Sequence, residues 1–234
     1  MRAYAFLGAA QFGYQADVVE QLRARGVDVD PLVEGSLDDL EAIAAAGPAL
    51  LFLCGLPYTR LRDAGFAVEP LVAPAIGDGP PTYTSTLLGR PGAVLDELHG
   101  AHLAINHRPS MSGWVLPVAE GLPLERFDRI TETGSHRRSL ELLLAGEADA
   151  APIDSHLLAA EAGAWPEVRD LPVLADYGPS PSPPIVLVDG DAAALRAALL
   201  DVRTIDHVDR LVAVDDAYYD PTRESDRRAA LCTR

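Results

Sequence analysis

The sequence contains no lysine, since all 19 basic residues among its 234 are arginine. This absence excludes Schiff-base catalysis and any phosphate-binding loop that depends on lysine. Cysteine is almost absent as well, and Cys54 and Cys232 are too few for a disulfide framework or a thiolate metal site. The six histidines lack the spacing of a metal site. We therefore expect neither a metal ion nor another cofactor.

Long hydrophobic runs are also missing, because no stretch approaches the roughly 20 apolar residues that a membrane span needs. We therefore expect no membrane insertion. The apolar run at residues 3–10 is short and follows a single Arg2, so it is interpreted as a buried first strand rather than an export signal. As written, the sequence predicts a cytoplasmic protein. The alternative is a periplasmic or extracellular protein whose export signal has been removed.

Acidic residues clearly outnumber basic residues in this sequence. Asp and Glu number 35 against 19 basic residues, which gives a net charge of −16. Such a surface repels phosphate backbones and argues against nucleic acid as the main partner. A small anion is still compatible with this charge, because helix N-termini and hydroxyl groups bind anions without basic side chains.

The order of elements along the chain indicates an α/β protein. Short apolar runs such as Arg2–Gly8, Val27–Val33 and Ala49–Cys54 alternate with amphipathic segments that end at glycine. Strands separated by helices form crossover units and a parallel sheet. A second series of the same kind follows and is expected to close with a strand at Val168–Leu174.

Two breaks rich in glycine and proline divide the chain, IGDGPPT at 76–82 and GPSPSPP at 178–184. We therefore predict two Rossmann-like lobes with parallel or mixed sheets, lobe 1 from residues 1–80 and 180–234 and lobe 2 from residues 81–179. Two strands would join the lobes as a hinge that closes a ligand cleft.

The polar tail from Asp215 to Arg234 carries only weak structure signals, and its last residues are expected to be disordered. The oligomeric state is not readable from the sequence.

Three loops of the middle block follow a strand and precede a helix, the position where parallel sheets bind ligands. The first contains Ser110, Ser112 and Gly113, and hydroxyls beside free helix amides form a ready anion site. In the alternative interpretation, Ser110 simply caps the helix.

The second loop is Thr133-Gly134-Ser135-His136, which again places hydroxyls and a permissive glycine at the start of a helix. Thr133 or Ser135 could equally be a plain cap, and His136 a solvated residue of the first turn. In the third loop, Asp154 could accept hydrogen bonds from a cationic or hydroxyl part of a ligand, or it could cap the next helix.

Four segments occur in a recognisable order. They are Tyr83-Thr-Ser85, Leu103-Ala-Ile-Asn106 with Ser110-Met-Ser112-Gly113, Thr133-Gly134-Ser135-His136, and Leu144-Ala-Gly146-Glu-Ala-Asp149-Ala-Ala-Pro-Ile-Asp154. This order resembles the phosphate/phosphite/phosphonate-type substrate-binding proteins of ABC transporters, which have the type 2 periplasmic-binding-protein fold. The resemblance is best over residues 83–156 and weaker over 1–75.

The resemblance implies which residues surround an anionic group. These are Tyr83, Ser85, Ser110, Ser112, Thr133, Ser135 and His136, with the backbone at Gly113 and Gly134, and with Asp154 contacting a ligand amine. Tyr14 and Tyr58 could cover the ligand from the other lobe. Each is otherwise an ordinary half-buried aromatic residue, which is the preferred interpretation for Tyr58. The implied partner is a membrane transporter or a downstream protein.

A second hypothesis is an enzyme built on the same fold, as in the menaquinone-pathway dehydratase of this fold class. It would be a lyase or dehydratase without metal, with His136, His107 and Asp154 as candidate acid and base groups. No motif of a known catalytic arrangement raises His107 above a solvated loop histidine. A third possibility is a cytoplasmic sensor that passes its ligand to a partner.

Overall fold

The computed structural model describes residues 1–7, 9–203 and 208–233. Gly8, at the end of the first predicted strand, and Arg234, the last residue of the predicted lobe 1, lie outside the described residues. The strands are β1 Arg2–Ala5, β2 Leu32–Glu34, β3 Ala49–Phe52, β4 Val68–Ala75, β5 Thr82–Gly89, β6 Ala101–Ile105, β7 Phe127–Glu132, β8 Ala150–Asp154, β9 Val173–Pro181, β10 Ile185–Val188 and β11 Arg210–Ala213. The helices are α1 Ala9–Ala24, α2 Leu40–Ala45, α3 Gly55–Asp63, α4 Leu116–Ala119, α5 His136–Leu144, α6 Ser155–Ala164, α7 Ala192–Leu200 and α8 Asp220–Cys232.

The chain divides into two compact units. Unit 1 consists of Met1–Thr82 and Pro181–Thr222, and unit 2 consists of Tyr83–Ser180 and Arg223–Arg234. Each unit has its own sheet.

Unit 1 is built on a six-stranded sheet in the order β11-β4-β10-β3-β1-β2. Strand β1 runs parallel to β2 and β3, whereas β10 is antiparallel to β3 and β4. All four residues of β3 are buried, and they alternate between two apolar clusters. Leu50 and Phe52 pack with α1 and α7, and Leu51 packs with α2 and α3 on the opposite face. A strand covered by helices on both faces explains this continuous apolar run.

Unit 2 is built on a five-stranded sheet in the order β7-β6-β8-β5-β9. Strand β6 is parallel to β7 and β8, and β5 is antiparallel to β8. The apolar face of α5, with Leu140 and Leu143, packs against Ala104 and Ile153 of the sheet. Because β6, β7 and β8 are parallel, their carboxyl ends lie at one edge of this sheet. The predicted α/β class with mixed sheets is confirmed.

Near the end of unit 2, one local prediction is wrong and another is right only in part. The strand expected at Val168–Leu174 is replaced by a 3-10 turn at Pro166–Asp170, and β9 begins only at Val173. The expected break at 178–184 overlaps the end of β9, which continues to Pro181, and the division between the two units falls within it, between Ser180 and Pro181. Strand β9 is at the edge of its sheet, where proline is tolerated because one side of the strand has no neighbouring strand to hydrogen-bond with.

The prediction of weak structure in the tail is also wrong. Residues Asp220–Cys232 form a regular helix, α8. Pro221 lies in its first turn, where a missing backbone N–H costs nothing, and Asp220 favours the helix dipole there. Arg227 and Glu224 add an ion pair of 2.8 Å one turn apart. The pair Asp220-Pro221 is a sequence signal for the start of a helix, and it was missed because the tail is so polar.

Among the described residues, no helix combines the length and the apolar character needed to cross a bilayer.

Candidate functional site

The sequence-predicted residues of unit 2 converge at the edge where its parallel strands end. The loop after β6 carries Ser110 and Ser112, the loop after β7 carries Thr133 and Ser135, and Asp154 is the last residue of β8. Ser85 joins them from β5, because its Cα pairs with that of Asp154 in the antiparallel ladder. The backbone also ties the two loops together, since the amide of Gly134 donates to the carbonyl of Asn106 at 2.9 Å.

Asn106 is the centre of a buried hydrogen-bond cluster. Its Oδ1 accepts the backbone N–H of His107 at 2.8 Å, which fixes the orientation of the amide. Its Nδ2 therefore donates to Ser110 Oγ at 2.9 Å and lies 3.2 Å from His136 Nε2. Sequence reasoning did not place Asn106 among the site residues. The available signal was its position directly after a buried strand.

Ser112 links this cluster to β5. Its Oγ lies 2.9 Å from His136 Nε2, and its backbone carbonyl accepts the hydroxyl of Ser85 at 2.6 Å. Ser85 is fully buried, and Ser112 and His136 are buried as well. We name the group of Ser85, Asn106, Ser110, Ser112 and His136 the serine–histidine cluster.

His136 is neutral at physiological pH. Burial, and then the charge of nearby His107, lower its pKa from 6.5 to about 4. A weak interaction of the ring with the Pro152 backbone opposes this effect and falls outside normal hydrogen-bond geometry, so Nδ1 is buried without a proper partner. The alternative that His136 is a solvated residue of the first turn is wrong, because its own side chain is buried, although Arg137 and Arg138 beside it are exposed.

Gly113 is required by the close approach of its backbone to Asn106. A Cβ atom at this position would lie 1.7 Å from Asn106 Oδ1 and 3.1 Å from Ser110 Oγ. The amide of Gly113 also donates to Ser110 Oγ at 3.0 Å, so Ser110 caps the turn as one interpretation predicted. The helix expected here begins as a π-helical turn, Met111–Val115, and continues as α4. Such turns are frequent at functional sites.

The second loop is held by its own hydrogen bonds. Ser135 caps α5, with its Oγ accepting the N–H of Arg138 at 3.1 Å. Thr133 Oγ1 lies 3.0 Å from the carbonyl oxygen of Ile105 and 2.8 Å from Ser139 Oγ. Gly134 adopts a φ of +85°, which glycine tolerates without strain. The capping role that the sequence allowed for Ser135 is confirmed.

Asp154 is a buried carboxyl group that caps α6. Its Oδ1 accepts the backbone amides of His156 and Leu157 at 2.9 and 3.2 Å. Burial raises the pKa of Asp154, whereas the charge of His156 and the two amides act in the opposite direction. Tyr83 is buried in the same unit, with its ring centroid 6.0 Å from that of His156.

Tyr14 and Tyr58 lie in unit 1. Tyr14 packs edge-on against Phe52, with ring centroids 6.4 Å apart. Tyr58 is fully buried, packs against Tyr219 at 5.1 Å and donates its hydroxyl hydrogen to Asp216. The alternative to ligand contact was a half-buried aromatic residue at each position, and in the structure both side chains are more completely buried than that.

The part of the chain that the structure describes contains no group of three or more His, Cys, Asp or Glu residues arranged to hold a metal ion. The chemistry available at the strand-end edge of unit 2 is thus that of hydroxyls, backbone amides, a carboxamide, a neutral imidazole and the buried carboxyl group of Asp154.

Comparison with known protein families identifies one whose model matches most of this chain. The model of a family described as the phosphonate ABC transporter periplasmic substrate-binding protein matches residues 16–225. A comparison with curated protein sequences finds no match.

Solved structures similar to this chain share its fold. A binding protein component of an ABC phosphonate transporter from Pseudomonas aeruginosa superposes with a TM-score of 0.80 at 14% identity, over 100% of this chain and 87% of its own. PhnD1 from Prochlorococcus marinus, in complex with methylphosphonate, gives a TM-score of 0.79 at 12% identity over 98% of both chains. A Candida albicans protein with the generic periplasmic binding protein fold gives 0.58 at 9% identity, over 99% of this chain and 89% of its own. The periplasmic-binding-protein fold implied by the sequence is confirmed, and the chain belongs to the family of phosphonate-type periplasmic substrate-binding proteins of ABC transporters.

Proposed function

We propose that this chain binds a small phosphorus oxyanion of the phosphonate type and delivers it to a membrane transporter. The observation that carries this proposal is the serine–histidine cluster at the strand-end edge of unit 2, in a chain that matches its family over residues 16–225. The structure of Prochlorococcus marinus PhnD1 with methylphosphonate supports the ligand class.

The chemistry of the cluster suits an anion in a strongly acidic protein. Ser110 and Ser112 offer hydroxyl groups, and His136 is held neutral. Hydrogen bonds with hydroxyl groups and backbone amides replace the hydration of an oxyanion, and a neutral imidazole adds no buried basic charge. The net charge of −16 is therefore compatible with anion binding.

The other sequence-derived contacts belong to the same proposal. Tyr83, Ser85, Thr133, Ser135 and the backbone at Gly113 and Gly134 would surround the oxyanion. Asp154 would accept a hydrogen bond from an amine of an aminoalkyl ligand, and its buried, cap-bonded carboxyl group provides an anchored acceptor. Contacts from Tyr14 and Tyr58 remain a prediction.

The enzyme alternative receives no support. The matching family and the similar solved structures named above are described as binding proteins. His136, with a pKa of about 4, is a weak base at neutral pH and is poorly suited to general base catalysis.

The family description is periplasmic, which favours the exported alternative over a cytoplasmic location. We infer an ABC transporter as the protein partner on the same basis. Closure of two lobes on the ligand remains a prediction, and a fall in the radius of gyration on ligand addition in small-angle scattering would test it.

The direct test is a titration with methylphosphonate. Saturation at about 100 times the dissociation constant should raise the free energy of unfolding by about 3 kcal/mol, visible as a higher melting temperature. Ser112→Ala should weaken binding at least about tenfold because one buried hydrogen-bond partner is lost. Ser36→Ala is the matched control, since Ser36 is an exposed cap in unit 1. If neither methylphosphonate nor phosphate nor phosphite shifts the melting temperature, the proposed function is wrong.

A further inference from the structure

The hydrogen bonds of the serine–histidine cluster determine which of its hydroxyl groups can donate to a ligand. The starting point is Asn106, whose Oδ1 is occupied by the N–H of His107 at 2.8 Å. The group that faces His136 Nε2 is therefore the NH₂ of Asn106, which can only donate. It follows that Nε2 carries a lone pair and that the ring proton is on Nδ1, where the backbone of Pro152, which has no N–H, can only act as an acceptor.

This tautomer fixes the hydrogen of Ser112. Its Oγ lies 2.9 Å from Nε2, and two lone pairs at that distance would repel each other. The hydroxyl of Ser112 therefore donates to His136, and the single lone pair of Nε2 is shared between this 2.9 Å bond and the longer 3.2 Å contact from Asn106. Towards any ligand, Ser112 Oγ then presents lone pairs and no hydrogen.

Ser110, in contrast to Ser112, keeps its hydroxyl hydrogen available for a ligand. Its Oγ accepts two hydrogen bonds, from Asn106 Nδ2 at 2.9 Å and from the amide of Gly113 at 3.0 Å. Both lone pairs of a hydroxyl oxygen are used by two such donors. The hydrogen of Ser110 remains for a further acceptor.

Resting on the proposed function, we propose that this site selects oxyanions that keep one acidic proton, with Ser110 donating to an anionic oxygen and Ser112 accepting the ligand's O–H. A monoprotonated phosphonate offers both groups. A sulfonate of the same shape offers only acceptors, so one of its oxygens would face the lone pairs of Ser112. Asn106 acts as the positioning residue that sets this polarity through His136.

The test compares two ligands of nearly equal shape and equal charge. At about pH 5.5 a phosphonate carries one negative charge and one proton, whereas methanesulfonate carries one negative charge and no proton. Calorimetric titration should show methylphosphonate binding at least about 100-fold more tightly than methanesulfonate, because a buried polar group left without its partner is strongly disfavoured.

Two variants separate the roles of the serines. Ser112→Ala removes the acceptor, so the preference should fall below about tenfold. Ser110→Ala removes the donor that both ligands use, so it should weaken both about tenfold and leave their ratio unchanged. A purely structural role of Ser112 would weaken both ligands alike and would overturn the proposal.

The outcomes distinguish this inference from the proposed function. If neither ligand binds, the proposed function itself fails, and this inference fails with it. If both bind equally well, the function stands and the selectivity is refuted. Nitrogen-15 NMR of the ligand-free protein gives a second measurement, since His136 should show a protonated Nδ1 and an unprotonated Nε2. A proton on Nε2 would overturn the argument regardless of binding.

Discussion

Replacing Gly113 by alanine provides a sharp test of the serine–histidine cluster. The new Cβ would lie 1.7 Å from Asn106 Oδ1, a distance that no relaxation of a few tenths of an ångström can relieve. Asn106 must move, and its three contacts with the backbone of His107, with Ser110 and with His136 are then lost. At about 1 kcal/mol for each buried hydrogen bond, we expect Gly113→Ala to lower the free energy of unfolding by about 3 kcal/mol.

The assay is chemical denaturation followed by tryptophan fluorescence. The protein has two tryptophans, Trp114 and Trp165, and both are in unit 2, so the signal reports on the unit that contains the site. The matched control is Gly163→Ala. An added Cβ at Gly163, in α6 of the same unit, meets nothing within 4 Å, and alanine favours the helix by up to about 1 kcal/mol.

A double-mutant cycle identifies the cause of the loss. In an Asn106→Ala background the clashing oxygen is gone, so Gly113→Ala should cost at most about 1 kcal/mol. If Gly113→Ala changes stability by less than about 0.5 kcal/mol, or costs the same in both backgrounds, the close approach of Gly113 to Asn106 is not real and the reasoning fails.

Two further predictions concern buried charge in unit 2. The pKa of His136 is about 4 in the folded protein and 6.5 when unfolded, so the unfolded chain binds the extra proton between these values. The contribution of neutral His136 to the free energy of unfolding is fully present above about pH 6.5. It falls by about 3 kcal/mol as the pH drops towards 4. Denaturation of His136→Gln across this pH range should lack that part of the pH dependence. Glu161, only 3% exposed, pairs with Arg137 at 2.9 Å, so Arg137→Ala should cost about 2 kcal/mol by leaving a buried carboxylate. The control Arg138→Ala, which breaks the exposed pair with Glu141, should leave the denaturation midpoint unchanged, and equal losses in both variants would contradict this assignment.

Much of the fold was predictable because it depends on local patterns. The run Ala49–Phe52 is apolar at every position, as a strand covered on both faces must be. Glycines such as Gly146, with a φ of +69°, mark helix ends by a conformation that other residues avoid. The segment 178–184 contains the division between the units, but the strand that reaches Pro181 was missed. Proline is a break signal in the interior of a sheet but is tolerated in an edge strand, and edge position is not a local property.

The candidate site was predictable in part for the same reason. Hydroxyls after strands are local signals, so Ser110, Ser112 and Ser135 could be selected from the sequence. Asn106 could not, because its importance depends on three partners from two loops that lie up to 30 positions apart. The neutral state of His136 likewise depends on burial by distant segments.

The sequence by itself determined the α/β class, the absence of lysine chemistry and the order of motifs that indicated the family, because composition and spacing are properties of the chain. Only the tertiary structure decided that His136 is buried and neutral. It also decided that Asn106 lies where it determines which nitrogen of His136 accepts the hydroxyl of Ser112. Hydrogen-bond direction and desolvation arise from atoms brought together in space, and no spacing along the chain encodes them directly.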